Sequence, residues 1–87
     1  MKMLILTKMG AIYYGDFIKP KRVGRNKKIL VLKDVTWKRH SKKHNIDLKD
    51  VKVNEQWINP KIIINKIEME IEDIEKKKYK ELLGLLK

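Results

Sequence analysis

The residues with the clearest capacity for chemistry are cationic, and they are concentrated in one part of the chain. Residues 19–43 contain eleven Lys or Arg and a single acid, Asp34. An excess of positive charge this large is self-repelling and does not help the chain to fold. It therefore indicates contact with a polyanion. Lys offers a point charge and Arg a planar fork, and both bind phosphate. The candidate contacts are Lys19, Lys21, Arg22, Arg25, Lys27 and Lys28, the first basic cluster, and Lys38, Arg39, Lys42 and Lys43, the second basic cluster.

The charge of the whole chain agrees with this interpretation. The 87 residues include 22 Lys or Arg and 11 Asp or Glu, which gives a net charge of +11 and a pI near 9.9. Residues 1–66 hold 17 of the basic residues and 5 of the acids, whereas residues 67–87 are nearly neutral. A chain this basic points to a polyanionic partner, which is RNA, DNA or an anionic membrane, and the C-terminal part is expected not to touch nucleic acid.

Aromatic side chains lie close to the basic residues and could stack on bases. Trp37 adjoins Lys38-Arg39, and Tyr13, Tyr14 and Trp57 are further candidates. Successive strand residues face opposite sides of a sheet, so one of the two tyrosines is expected to be buried and the other exposed. For Trp37 the favoured interpretation is core packing, because residues 29–37 form the most apolar stretch in the chain.

Catalytic and metal sites find no support in the sequence. The chain has one Ser, no Cys and no phosphate-binding glycine motif. His40 and His44 have a spacing that could ligate a metal on a helix, but no third ligand is near and Lys and Arg surround them. The sequence therefore predicts a protein that is not an enzyme and has no metal and no cofactor.

Short β-strands are predicted to position the basic residues. Two apolar runs, 3–7 and 11–18, flank Lys8-Met9-Gly10, which predicts a hairpin with Gly10 at positive φ. Gly15 predicts a bulge or a sharp bend. Further along, residues 19–28 are predicted to be a loop or the frayed ends of two strands, 29–37 and 51–58 to be strands, and 38–50 to be polar with Ile46 and Leu48 as anchors.

The sequence after Asn59-Pro60 fits two structures. Residues 62–71 alternate apolar and acidic side chains towards their end, as in a strand, but four Ile residues also follow helical spacing after a possible helix start at Asn59-Pro60. A strand is favoured because β-branched Ile is a poor helix former. From Asp73 onward a helix is predicted, with one apolar face made of Tyr79, Leu82, Leu83 and Leu86.

These elements define a mainly β fold. We expect a small five-stranded bent-sheet barrel over residues 1–72, closed or half-closed, with a C-terminal α-helix over residues 73–87 packed on it in a single domain.

Three segments carry a resemblance to a known family. Residues 6–15, Leu-Thr-Lys-Met-Gly-Ala-Ile-Tyr-Tyr-Gly, resemble the first hairpin of Sm-like small β-barrels, which has a turn glycine and a second glycine where strand two bends. Residues 30–35 are similar to the third strand of that family, and residues 57–64 stand where its last hairpin lies. The resemblance implies a bent-sheet barrel of the Sm or SH3-like type, which is widely used as an RNA-binding module, including in ribosomal proteins.

Three features depart from that family. Its Arg-Gly in the last hairpin is Asn59-Pro60 here, the loop between strands two and three is longer and basic, and the helix follows the barrel instead of preceding it. The family's uridine pocket and ring assembly are therefore not carried over.

Membrane insertion and secretion are not expected. The apolar runs are far shorter than the about 20 residues that a membrane-spanning helix needs, and the N-terminus has no signal-peptide pattern. A cytoplasmic protein is expected, and the bias towards Lys and Ile is typical of a thermophile or of an AT-rich genome.

The predicted function is non-enzymatic RNA binding through phosphate contacts, in a ribosomal or other ribonucleoprotein particle. Two alternatives remain at this point. One is a DNA-binding chromatin or viral protein, and the other is a protein-interaction module that assembles through the Tyr79, Leu82, Leu83 and Leu86 face.

Overall fold

The computed structural model describes residues 1–25 and 27–87, with all side chains in these ranges except those of Lys21 and Val23. Within these ranges the chain forms seven β-strands, two short 3₁₀ turns and one α-helix. The strands are β1 (Lys2–Thr7), β2 (Ile12–Val23), β3 (Lys27–Lys38), β4 (His40–Ser41), β5 (Ile46–Asp47), β6 (Val51–Ile58) and β7 (Ile63–Glu68). The 3₁₀ turns span Pro60–Ile62 and Ile74–Lys76, and the helix α1 spans Tyr79–Leu86.

Five of the strands form one antiparallel sheet in the order β6-β3-β2-β1-β7, and β4 and β5 form a separate two-stranded ribbon. The first and last strands of the sheet in sequence, β1 and β7, are therefore hydrogen-bonded neighbours. A mainly β fold with a five-stranded antiparallel sheet and a C-terminal helix is confirmed. So is the strand interpretation of the segment after Asn59-Pro60, although that strand ends at Glu68 and not at residue 71.

Both faces of β1 are buried, which accounts for its unbroken apolar sequence. One face contributes Met3 and Ile5 to an inner cluster with residues of β2, β3 and β6, and Ile63 of β7 packs against it. The other face contributes Leu4 and Leu6 to an outer cluster that residues 71–86 cover. The helix face predicted from sequence lies in this outer cluster: Leu82 and Leu86 are buried, and Tyr79 and Leu83 pack beside them.

The pairing of β2 with β3 is irregular at two places. Register shifts occur between Tyr14 and Asp16 and between Ile18 and Lys21. A Cβ on Gly15 would lie 2.7 Å from the backbone oxygen of Lys33, so only glycine permits this close approach of β3. Opposite it, Asp34 adopts the left-handed conformation with φ 52°. The bulge or bend predicted at Gly15 is thus present.

The C-terminal segment differs from its prediction. Asp73 does not start an α-helix; it has φ 51° and precedes the 3₁₀ turn without a side-chain capping bond. The α-helix begins only at Tyr79, and its first backbone N–H is capped from outside by Asp47, whose Oδ2 accepts it at 3.1 Å. Because Asp47 belongs to β5, local sequence could not indicate this cap.

The prediction that two apolar side chains anchor residues 38–50 is also wrong. Ile46 and Leu48 are 54% and 37% exposed, so they do not hold the 38–50 segment in place. That segment is held instead by polar contacts. His40 Nδ1 lies 2.8 Å from Asp47 Oδ1, and the His40 ring stacks on Tyr79 with centroids 5.4 Å apart.

Candidate nucleic-acid interface

The first basic cluster lies on an extended hairpin and not on an irregular loop. Strands β2 and β3 continue to Val23 and Lys27, which pair with each other, and Gly24 in the turn has φ 72°. Of the alternatives for residues 19–28, paired strand ends are therefore observed. Asn26 and the side chain of Lys21 lie outside the described residues.

The register of this hairpin places like charges opposite each other. Arg22 pairs with Lys28, and both side chains are exposed. Like charges directly across two antiparallel strands destabilise the pairing, because their Cβ atoms lie only about 5 Å apart. This like-charge pair does not stabilise the hairpin, and bound phosphate would relieve the repulsion.

The hairpin forms one wall of a groove whose other wall comes from a distant part of the chain. The groove has a volume of about 560 Å³, and we call it the hairpin groove. Its described lining residues are Arg22, Arg25, Lys27, Lys28 and Ile29 from the hairpin and Asn59, Pro60 and Lys61 from the turn between β6 and β7. The Asn59 side chain accepts the backbone N–H of Lys61 at 3.0 Å, which fixes that turn.

The electrostatic character of the hairpin groove is uniform. Five of its eight described lining residues are Lys or Arg and none is acidic. The ion pairs found among the described residues join Lys2 to Asp16, Lys38 to Asp50, His40 to Asp47 and Lys52 to Glu75, so none of them neutralises a cation of this groove. The groove therefore presents concentrated positive charge to solvent.

Lys61 was not among the residues predicted from sequence, since its proximity to the hairpin is created only by folding. Lys19 is exposed on β2 but does not line the groove.

The second basic cluster is not one surface. Lys38 is 5% exposed, and its ammonium contacts the Asp50 carboxylate at 2.9 Å and the backbone oxygens of Lys77 and Glu75 at 2.7 and 3.2 Å. These contacts use all three of its N–H donors, so Lys38 is not available to phosphate, and the prediction that it contacts nucleic acid is wrong. The half-buried Arg39 places its guanidinium over the Trp37 ring, 4.8 Å from the centroid.

Lys42 and Lys43 are exposed in the turn between β4 and β5. Lys42 lines a second groove, of about 610 Å³, beside the β1–β2 turn and α1; we call it the helix groove. Its cations are Lys8, Lys42, Lys80 and Lys87, and no acid is among its described lining residues. Sequence reasoning missed three of these four lysines, because they come from a turn and from a segment whose net charge is close to zero.

The two tyrosines are not exposed stacking groups. Tyr13 is 7% exposed in the inner cluster, where burial raises the pKa of its phenol. Tyr14 is 5% exposed in the outer cluster, and its hydroxyl oxygen accepts the backbone N–H of Ile71 at 2.8 Å. The expectation that one of them would be exposed is wrong, because the C-terminal segment covers the second face of the sheet.

The two tryptophans differ in exposure. Trp37 is half-buried against the inner cluster and stacks on Tyr13 with ring centroids 5.7 Å apart. Trp57 is 44% exposed on β6, and its indole N–H donates to Glu55 Oε2 at 2.9 Å. Among the described Trp and Tyr residues, Trp57 is thus the one that presents the largest exposed fraction to solvent.

Groups that could do other chemistry are engaged in structural contacts. The hydrogen bond from His40 is the main reason that the pKa of Asp47 lies below its ordinary value, and the N–H of Tyr79 adds to the effect. The contact from Lys52 lowers the pKa of the exposed Glu75 in the same way. Across the part of the chain that the structure describes, no group of three or more His, Cys, Asp or Glu could hold a metal ion. No helix there is long and apolar enough to cross a membrane.

Comparison of the chain with protein-family models, with curated proteins and with solved structures gave no match.

Proposed function

We propose that this protein is a non-enzymatic RNA-binding protein and that the hairpin groove is its main phosphate-binding surface. One observation carries the proposal. Cations from the β2–β3 hairpin and from the turn after β6 converge on one groove, and none of the described ion pairs neutralises them. Phosphate contacts from Lys and Arg supply most of the sequence-independent affinity of such proteins.

The same proposal includes the architecture. We infer that the five-stranded sheet is a bent-sheet barrel of the Sm or SH3-like type. The adjacency of β1 and β7, the bulged strands at Gly15 and Asp34, and an inner cluster to which every strand of the sheet contributes all support a sheet curved around one core. The short link between β6 and β7, a single residue and one 3₁₀ turn, keeps the two edge strands near each other where they join.

The helix groove supports a role in an RNA-rich particle. It lies beside α1 and the β1–β2 turn and shares no described lining residue with the hairpin groove. Two separate cationic grooves suit a protein that contacts two segments of phosphate backbone, as in a ribosomal or other ribonucleoprotein assembly. This proposal gives Lys80 and Lys87 of the C-terminal part a phosphate contact, which the near-neutral charge of that part did not predict. The protein-interaction alternative is not favoured, because Leu82 and Leu86 of its proposed docking face are buried against the sheet.

Charge-neutralising variants test the proposal. The triple variant Arg22→Gln, Arg25→Gln, Lys61→Gln removes three charges from the hairpin groove. The matched control, Lys76→Gln, Lys77→Gln, Lys78→Gln, removes the same charge from a surface shared with Asp47, Asp50 and Glu75. We expect the first variant to bind short RNA at least tenfold more weakly and the control to bind within about twofold of the wild type.

Two results would contradict the proposal. An equal loss in both variants would mean that net charge alone matters, and no loss in either would remove the groove from the interface. Competition between RNA and DNA of the same sequence tests the partner. RNA is expected to compete better, and an equal or better competition by DNA would favour the DNA-binding alternative.

A further inference from the structure

Trp57 lies on the same face of the sheet as part of the hairpin groove. In this stretch the register is regular, with Leu30 opposite Ile58 and Val31 opposite Trp57. Leu30 and Ile58 point into the inner cluster, so the next pair along the strands, Val31 and Trp57, points away from it. Ile29, which lines the groove, shares this outward face with Val31.

The distance from the groove to the indole is short. Trp57 precedes Asn59, a lining residue of the groove, by two positions, which corresponds to about 6–7 Å along an extended strand. A nucleotide whose phosphate lies in the groove can therefore reach the indole with its base.

The indole is hydrogen-bonded to a side chain of its own strand and has much of its surface in solvent. Its N–H donates to the Glu55 carboxylate at 2.9 Å, and the side chain remains 44% exposed. The Glu55 charge also repels phosphate, so a bound backbone is directed to the cationic groove and not across the indole. Cations on one side and an exposed aromatic ring on the other are the two components of a single-strand binding surface.

We infer that Trp57 is a stacking platform for an unpaired base and that the substrate class of the hairpin groove is single-stranded RNA. The inference rests on the proposed function, since it takes the groove as the phosphate site. Bases within an A-form duplex are stacked on one another and cannot place a free face on Trp57. The platform therefore selects single strands, whereas the groove cations alone do not distinguish them from duplexes.

The experiment compares one unstructured RNA strand with the matching RNA duplex. Trp57→Ala is expected to weaken single-strand binding by about tenfold, to leave duplex binding within about twofold, and to leave the salt dependence of both unchanged. Trp57→Phe keeps an aromatic face and should recover most of the affinity. Trp57→Leu keeps apolar volume without that face and should not recover it.

A spectroscopic measurement reports on the indole directly. The chain has two tryptophans, so Trp37→Phe leaves Trp57 as the single indole. The replacement removes no observed hydrogen bond, because Trp37 Nε1 has no partner among the described residues. Saturating single-stranded RNA should quench Trp57 fluorescence strongly, and the duplex should not. If Trp37→Phe does not fold, the affinities of the Trp57 variants in the otherwise wild-type chain still decide the question.

The outcomes separate this inference from the proposed function. If groove neutralisation weakens binding but Trp57→Ala changes neither RNA, the stacking platform is wrong and the groove stands. Equal losses of affinity for single-stranded and duplex RNA in Trp57→Ala would also overturn the platform. So would full single-strand affinity in Trp57→Leu. If groove neutralisation has no effect on either RNA, the proposed function fails first. Leu85→Ala is the matched control, because Leu85 is 48% exposed on α1, lines neither of the two cationic grooves and should alter neither affinity.

Discussion

The side-chain ammonium of Lys38 donates to the backbone oxygen of Lys77 at 2.7 Å, and this bond joins the end of β3 to the segment before α1. The same ammonium donates to the oxygen of Glu75 and pairs with Asp50. A buried cation with three partners leaves several polar groups unsatisfied when it is removed. The C-terminal segment is therefore attached to the sheet by a residue that the sequence assigns to a basic surface.

Lys38→Met tests this attachment. The variant keeps the apolar stem but leaves the Asp50 carboxylate and two carbonyl groups without their donor, so we expect the free energy of unfolding to fall by about 2–4 kcal/mol. Urea unfolding at neutral pH measures it. The control is Lys52→Met, which removes the exposed partner of Glu75 and should leave the unfolding midpoint nearly unchanged. Equal effects of the two substitutions would contradict the special position of Lys38.

Gly15→Ala tests the close approach of β2 and β3. The added Cβ would lie 2.7 Å from the Lys33 oxygen and 3.1 Å from Val35 Cγ2, so the strands must separate. We expect a loss of about 1–3 kcal/mol in the free energy of unfolding. Gly84→Ala, in α1, meets no atom within 4 Å and should instead stabilise the protein by about 0.5–1 kcal/mol. Thermal unfolding of both variants measures these effects. An unchanged melting temperature in Gly15→Ala would show that the close approach of β2 and β3 tolerates a side chain.

Trp37→Ala tests the assignment of Trp37 to the core. Its ring packs on Tyr13 and against the inner cluster, but the residue is only half-buried. We therefore expect a loss of about 2–4 kcal/mol, somewhat below that of a fully buried tryptophan. A variant with an unchanged melting temperature would show that Trp37 does not stabilise the core.

Asp47→Asn tests the cluster that holds the β4–β5 ribbon to α1. The pKa of Asp47 is lowered in the folded protein, so its ionised form contributes stability above the unfolded value of about 3.9, and this contribution is lost as the pH falls through the lower folded value. The wild type should therefore lose more stability than the variant between about pH 5 and pH 2. Urea unfolding across that range measures both proteins. If the free energy of unfolding fell equally with pH in both proteins, the ionised Asp47 carboxylate would not be the group that stabilises this cluster.

Local patterns predicted much of the sheet. The Gly10 turn, the bend at Gly15 and the break at Asn59-Pro60 each follow from the backbone preferences of one or two residues, and all three are present. The prediction of a strand for residues 62–71 is confirmed over residues 63–68, since runs of β-branched Ile favour an extended backbone.

Features that depend on tertiary contacts were not predictable in this way. Tyr14 is buried only because Ile71 and α1 cover its face of the sheet, and α1 begins at Tyr79 because a carboxylate from β5 caps it there. In the candidate interface, the local density of charge predicts Arg22, Arg25, Lys27 and Lys28. Lys61 joins them only through the link between β6 and β7. The density of basic residues in the sequence identifies the hairpin as a candidate binding surface, whereas the groove forms only when the chain folds.

The salt dependence of RNA binding tests the central claim most directly. If the five cations of the hairpin groove contact phosphates of a single strand, the plot of log K against log salt should have a slope of about −3.5. The Arg22→Gln, Arg25→Gln, Lys61→Gln variant should bring the slope to about −1.4, because three contacts are lost at about 0.7 each. The Lys76, Lys77 and Lys78 control should keep the wild-type slope. A wild-type slope shallower than about −2, or the same slope in all three proteins, would contradict phosphate binding in this groove.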